Sequence, residues 1–379
     1  CLVVSEMCIR NSVIRSRPPA GSANRIVALM AHKVVVVTPT NQAPEETAGE
    51  RHAASHTSDG LREHHRSHIW DPVSVKAPAP LSLEELEQLP PLEAFLRTLN
   101  LIDTGACTNE DIFTGPSQWM PHGRVFGGQV AAQSIVAAAR TVPEDRVIHS
   151  MHGYFIRPGD IHSPITLSVA RLHDGGSFTT RRVQAYQYGK TIWSMICSFQ
   201  LEQDGFAHCE AMPEGLPAPE DLPAEAGEIE AAGEQLANYW MHRRPFITRH
   251  VDQPIYTTPA AEATAQQALW VKAVDTMPDD PVLHQAAIAY FADYTILEPV
   301  LRRHGITWTD PRLRLASLDH GVHWHRPARV DNWLLYVQNS TAAQGGRGLT
   351  LGRIYTRDGE LVASITQEGM VRLKDLSAE

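Results

Sequence analysis

Asp293 is the only acidic residue between His284 and Leu297, where its neighbours are mainly Ala, Ile, Tyr and Phe. An unpaired buried carboxylate is costly, so a group in that setting has either a partner or a task. The task that suits it is general base, because desolvation raises its pKa toward the range in which it can take a proton from water. A second reading stays open, in which Asp293 pairs with an arginine or caps an internal turn. Gly127-Gly128 precedes the Ala-rich run Val130 to Arg140 and permits close approach of the backbone to a ligand. A helix N-terminus there could offer N–H donors to a developing oxyanion. A glycine pair needed only for helix and strand packing fits the sequence equally well.

Other chemistries lack their residues. No GxSxG elbow is present for a serine nucleophile. Gly189-Lys190-Thr191 looks like the end of a phosphate loop, but Gln184 stands where that loop needs glycine. Gly345-Gly346-Arg347-Gly348 lacks the last glycine of a dinucleotide fingerprint. Of His320, His323 and His325, the last two would share a strand face and His320 the opposite one, which is poor geometry for zinc. No metal and no cofactor are expected.

The elements that must position these residues come in two similar series. Ser150-Met151-His152-Gly153 runs into Arg157-Pro158, and Leu318-Asp319-His320-Gly321 into Arg326-Pro327. A turn and an apolar run then reach Gln200 in the first series and Gln367 in the second. So long a period, seen twice, implies a duplicated domain, and the recurrence of His152 and His320 implies a shared structural role. The first series reads as a helical pattern over Leu83 to Leu99, a buried helix over Val130 to Arg140, and strands over His149–Ile156, Ile165–Leu172, Phe178–Tyr188 and Thr191–Gln200. The second reads as a strand over Ala268–Val274 and an apolar helix over Leu283–Leu301. Strands follow over Arg314–His325, Trp333–Ser340, Gly348–Thr356 and Leu361–Leu373. A long apolar helix followed by antiparallel strands, twice, is α+β. The first series has no acid in its helix, so the active constellation is expected in the second.

The chain has 379 residues, enough for two cores, and a net charge of -10, which argues against nucleic acid as partner. Its five cysteines form no CxxC pair, so a reducing compartment is expected. Residues 1–80 are rich in Ser, His, Arg and Pro and are read as a disordered or non-native N-terminal extension outside the fold. The apolar piece Ile26–Val37 is too short for the ~20 residues of a membrane span. The remaining boundaries are 81–210 for the first unit, 211–240 for a Pro-, Ala- and Glu-rich linker, and 241–376 for the second unit.

Gly123-Arg124-Val125-Phe126-Gly127-Gly128-Gln129, His149 to Asp160, and Asp174-Gly175-Gly176-Ser177-Phe178 together resemble the acyl-CoA thioesterase II (TesB-type) family. Ala292-Asp293-Tyr294, Ser317-Leu318-Asp319-His320, His325-Arg326-Pro327 and Thr366-Gln367-Glu368-Gly369 extend the resemblance over roughly residues 85 to 373. It implies a tandem (double) hotdog, each repeat an antiparallel sheet wrapped around a central helix. It further implies hydrolysis of fatty acyl-CoA to free acid and coenzyme A by direct attack of water. Carried over by motif, that water is held by Asp293, Ser317 and Gln367, with Gly127 and Gly128 against the substrate and no metal. A homo-oligomer, dimer or tetramer, and a cytoplasmic location complete the expectation. Arg157, Arg302, Arg303, Arg326 and Arg347 could meet CoA phosphates, and none is singled out. Two alternatives are a hotdog hydratase or dehydratase using Asp319 with His320, and a catalytically silent acyl-CoA-binding protein.

Overall fold

The computed structural model describes residues 80–106 and 108–375; the extension read over residues 1–80 lies almost entirely outside them. Two short helices come first, α1 (Leu83–Glu87) and α2 (Pro91–Leu99). Ser82 and Glu85 form a capping box at α1, each side chain accepting from the other's backbone N–H. The single helix expected over Leu83–Leu99 is thus two. Pro90 and Pro91 cannot supply helical N–H groups, and the residue before a proline is pushed out of the helical region.

Next come β1 (Ile102–Asp103), β2 (Asp111–Gly115), α3 (Gly127–Ala139), β3 (Arg146–Phe155), β4 (Ile165–Asp174), β5 (Phe178–Gln187) and β6 (Lys190–Leu201). The segment read as a linker carries a 3-10 turn (Pro219–Asp221), α4 (Ala226–Glu230) and most of α5 (Glu234–His242). The chain continues through β7 (Phe246–His250), β8 (Gln266–Ala273), α6 (Pro281–Ala292), α7 (Glu298–Arg303), β9 (Leu313–Ser317), β10 (Asp319–Trp324), β11 (Leu334–Gln344), β12 (Arg347–Thr356) and β13 (Leu361–Leu373).

All strands join one antiparallel sheet, in the order β1-β2-β4-β5-β6-β3-β10-β13-β12-β11-β8-β7, with β9 paired to β13. On one side of the β3–β10 seam the order is β2-β4-β5-β6-β3; on the other, read inward, it is β8-β11-β12-β13-β10. The same succession, one strand, a helix, then four strands, underlies both, with α7 and β9 added in the second. Strand burial alternates, so one face of the sheet meets the core and the other meets solvent. The largest hydrophobic cluster among the described residues holds α3 and α6 packed against each other, with smaller clusters beside it. Both helices are buried nearly all round, and Ala131, Ala132, Ala138, Ala286, Ala287 and Ala289 keep the helices slim. No helix among the described residues is long and apolar enough to cross a membrane.

Two departures from the sequence reading shape the site. The apolar helix expected over Leu283–Leu301 ends at Ala292, with Asp293 as its C-cap in the right-handed helical region, and resumes as α7. Pro299, in the first turn of α7, bars a helix running unbroken through residues 295–298, because its ring would collide with the Thr295 carbonyl and its nitrogen donates nothing. The strand expected over Arg314–His325 is split into β9 and β10 by a bulge. Ser317 pairs with Gly369 and Gly321 with Thr366, so three residues, 318–320, oppose two, 367–368. A separation of three normally points two side chains to opposite faces; the extra residue brings Ser317 and His320 to the same side.

Candidate active site

The N-terminus of α3 meets the C-terminus of α6, and the bulge of β9–β10 with β13 lies across both. Asp293 Oδ1 accepts hydrogen bonds from Ser317 Oγ at 2.9 Å and from Gln367 Nε2 at 2.7 Å. Gln367 Nε2 also donates to Ser317 Oγ at 2.8 Å. The other carboxylate oxygen, Oδ2, accepts from the backbone N–H of Gly128 at 3.0 Å. The three residues expected together are therefore in mutual hydrogen-bond contact. They come from a helix end, a strand end and the middle of a strand that are 24 to 74 positions apart in sequence.

The two glycines play different steric parts. A Cβ on Gly127 would lie 2.6 Å from Asp293 Oδ2 and 2.8 Å from the Phe155 ring, so glycine keeps free the space over that oxygen. A Cβ on Gly128 would overlap the backbone carbonyl oxygen of Tyr290, so there glycine is what lets α3 approach α6. The N–H groups of the first helical turn have no intrahelical acceptor, and at α3 one of them is given to the carboxylate.

Asp293 sits between the negative end of α6 and the positive end of α3. It stays partly accessible, yet its surroundings are dense enough that burial raises its pKa. His320 and the donors Gln367, Ser317 and Gly128 oppose that rise. A carboxylate lifted above its usual range while accepting three donors is suited to take a proton from water and give it back.

His320, which sequence reasoning set aside as structural, is at this site. It is fully buried, and its Nδ1 lies 2.5 Å from Gln367 Oε1. His152 does not share its place: half-exposed on the outer face, it contacts Asp319 Oδ2 at 3.2 Å. The equivalence is displaced by one residue. Ile156 and Arg157 N–H both reach the Ile192 carbonyl, as His325 and Arg326 N–H both reach that of Val362. Aligned so, Met151 and Cys197 stand where His320 and Gln367 stand in the second series, and both are buried. Burial lifts the Cys197 thiol to about 12, so it is unreactive. A slip by an odd number of residues exchanges strand faces, which is why matching His152 with His320, off by one, and Gln200 with Gln367, off by three, fails.

Asp319 and His320 point to opposite faces, the former to Glu368 N and His152, the latter to Gln367. Among the arginines, Arg302 is buried and donates to Gln267 and the Gln253 carbonyl, Arg347 pairs with Glu368, and Arg326 lies near Glu360. A cavity of about 250 Å³ borders the region, lined by Gln118, Trp119, Tyr239, Arg243 and Tyr290 among others. No group of three or more His, Cys, Asp or Glu among the described residues could hold a metal ion.

Comparison with known proteins places these features in context. Residues 245–370 match the family described as Acyl-CoA thioesterase, and residues 115–200 match Acyl-CoA thioesterase N-terminal domain. The chain is 36% identical over 270 residues to Acyl-CoA thioesterase 2 of Haemophilus influenzae, covering 70% of this chain and 93% of that protein. It is also similar to the solved acyl-CoA thioesterase II TesB2 of Mycobacterium marinum, at 40% identity and TM-score 0.61, over 74% of this chain and 99% of that one. A hot dog fold protein from Alicyclobacillus acidocaldarius aligns at TM-score 0.60 and 20% identity over 74% and 99% of the two chains, a likeness of fold.

Proposed function

This chain belongs to the acyl-CoA thioesterase family and hydrolyses acyl-CoA thioesters, and from that premise we propose that Asp293, Ser317 and Gln367 hold and activate the attacking water. The observation that carries the reading is the Asp293 carboxylate, bound on Oδ1 by the serine hydroxyl and the glutamine amide and on Oδ2 by the Gly128 N–H, with no side chain at Gly127 to crowd it. Water held by these residues gives a proton to the carboxylate as its oxygen bonds to the thioester carbon. The carbonyl electrons move to oxygen, and the first turn of α3, opened by Gly127 and Gly128, is positioned to offer N–H donors to that oxyanion. Collapse of the intermediate breaks the C–S bond, and the proton leaves with the coenzyme A thiolate. The products are a free acid and a thiol, with no covalent enzyme intermediate.

The substrate class is fatty acyl-CoA. The architecture is read as a tandem hotdog, residues 81–210 and 241–376, each sheet wrapped on its helix, with the second repeat carrying the chemistry; the repeated strand order supports this. The first repeat then helps to form the acyl or CoA channel. A homodimer or homotetramer in the cytoplasm completes the proposal. The free Cys197 and Cys209 fit a reducing compartment.

The test follows thiol release from short, medium and long acyl-CoAs with the intact chain and with Asp293→Ala. Loss of a general base lowers turnover by about 10²- to 10⁴-fold, so the variant should be nearly inactive on every chain length. Unchanged release would sink the residue assignment.

A further inference from the structure

We infer that His320 is the positioning residue that sets which way the Gln367 amide points and, through it, holds the Asp293 carboxylate in register. The inference rests on the catalytic reading given above for Asp293, Ser317 and Gln367.

An amide side chain has one accepting and two donating positions, and reversing it exchanges them. At this site both donors are needed on one side. Nε2 serves Asp293 Oδ1 and Ser317 Oγ, which leaves Oε1 facing the opposite wall. That wall is His320, with Nδ1 2.5 Å from Oε1. Because an amide oxygen only accepts, Nδ1 must carry the proton and donate. A reversed amide would set Nε2–H against that N–H and Oε1 against the carboxylate, two repulsive contacts for two attractive ones. His320 is fully buried; its Nε2 makes no hydrogen bond of good geometry, although the Ala289 backbone carbonyl lies close enough to favour the charged ring, so its well-formed polar bond is the one to Gln367. The bulge between β9 and β10 is what turns His320 to this side together with Ser317. At the equivalent places in the other series, where no carboxylate needs holding, Met151 and Cys197 make no such pair. Burial lowers the imidazole pKa against the opposing pull of Asp293, Gln367, the Ala289 backbone and Asp319, which favours a neutral ring.

The test compares His320→Asn with His320→Gln in acyl-CoA hydrolysis. The shorter amide reaches the place of Nδ1 and the longer one the place of Nε2. His320→Asn should therefore keep most of the turnover. His320→Gln should lose about ten- to a hundredfold in kcat, the scale of a misplaced catalytic group, with KM little changed. The acid limb of the pH profile should also move to higher pH in His320→Gln, because a carboxylate that loses a donor to its charged form is harder to ionise. The titratable groups facing this pair are Asp293, Asp319, Tyr239 and Tyr336, all retained in both variants. Equal kcat and an unmoved limb in both variants would overturn the proposal. Asp293→Ala is assayed alongside: if it remains active, the catalytic reading itself fails; if it is inactive while His320→Gln matches wild type, only the positioning role fails. Should the His320 variants not fold, nitrogen NMR of histidine-labelled wild type decides, a proton on Nδ1 being expected and a ring protonated on Nε2 alone overturning the inference.

Discussion

At Gly127 and Gly128 the same substitution should have two unlike effects. In Gly127→Ala the new methyl enters the space over Asp293 Oδ2, where its immediate neighbours are a carboxylate and the Phe155 ring, both side chains that can shift. The expected result is a fall in kcat of about a hundredfold with a small change in melting temperature. In Gly128→Ala the methyl meets the Tyr290 carbonyl, part of a helix backbone that cannot yield without moving α6. Overpacking of this kind costs about 1–3 kcal/mol, so the melting temperature should drop clearly; parallel melts and thiol-release assays check both. The Asp293 shift adds a pH prediction. Its folded pKa is raised, so the active carboxylate forms only above the ordinary aspartate range, and the acid limb of kcat should lie above that range. The same group binds its proton more tightly in the folded than in the unfolded state, so its contribution to stability falls as pH rises between the two pKa values. At this scale one acid in an apolar helix draws attention to Asp293 but leaves a structural role open, and Ser317 and Gln367 join it only through the family resemblance. His320 is not legible in the chain, because a histidine repeated in both series reads as scaffold until the bulge shows the two to lie on different faces.

Elements fail to be legible where one residue interrupts a strong pattern. The apolar periodicity through Leu283–Leu301 is real, yet the helix is divided, which places Asp293 at a helix end while its own backbone stays in the right-handed helical region. The strands β1, β2 and β7 are short and rest on pairing, β1 with β2, β2 with β4 and β7 with β8, rather than on their own composition. In the segment read as a linker, order comes from a buried triad. His250, on β7, has Nδ1 2.7 Å from Glu225 Oε1 at the start of α4 and Nε2 3.1 Å from Glu298 Oε2 on α7. Burial disfavours charge on His250, but the two carboxylates reverse this and raise its pKa to about 10. Burial likewise opposes charge on Glu225, and His250 with Tyr256 outweighs it, holding the acid at about 2. The signs follow. Stabilisation from His250 is full below 6.5 and is lost as pH climbs toward about 10, and that from Glu225 is full above 4.5 and is lost as pH falls toward about 2. Glu225→Gln leaves a buried charge short of its partner, which costs about 3–5 kcal/mol. Denaturant melts at pH 6 and pH 9 should show the wild type losing stability between the two and the variant, already weakened, losing much less.

For the molecule as a whole, the repeated motifs foretell that one strand order occurs twice, but they cannot say what lies over the sheet's outer face. The described residues leave that face unusually apolar on the β5–β6–β3 side. Tyr154 and Ile196 are each more than half exposed, and Val147 and Phe178 nearly so. They are neighbours by register: Ile196 is opposite His152, whose ring meets that of Tyr154 edge-on, while Val147 and Phe178 flank Gln200 from either side. Exposed apolar side chains set among the polar Ser198, Thr180 and Ser150 on one sheet face mark a candidate interaction surface. A second copy of the chain is the occupant that the proposed homo-oligomer requires, and a self-complementary patch of this kind closes by two-fold symmetry. Light scattering on the eluting protein should then give a multiple of the 41.9 kDa chain mass. Ile196→Glu places a charge on the patch without touching the core, and Arg182 across the strand pair can accommodate it within the chain. The variant should elute nearer the single-chain mass with its melting behaviour and per-chain thiol release retained, because Asp293, Ser317 and Gln367 all lie on the opposite side of the sheet. A wild-type mass of one chain, or a variant whose mass does not change, would remove this face from the assembly.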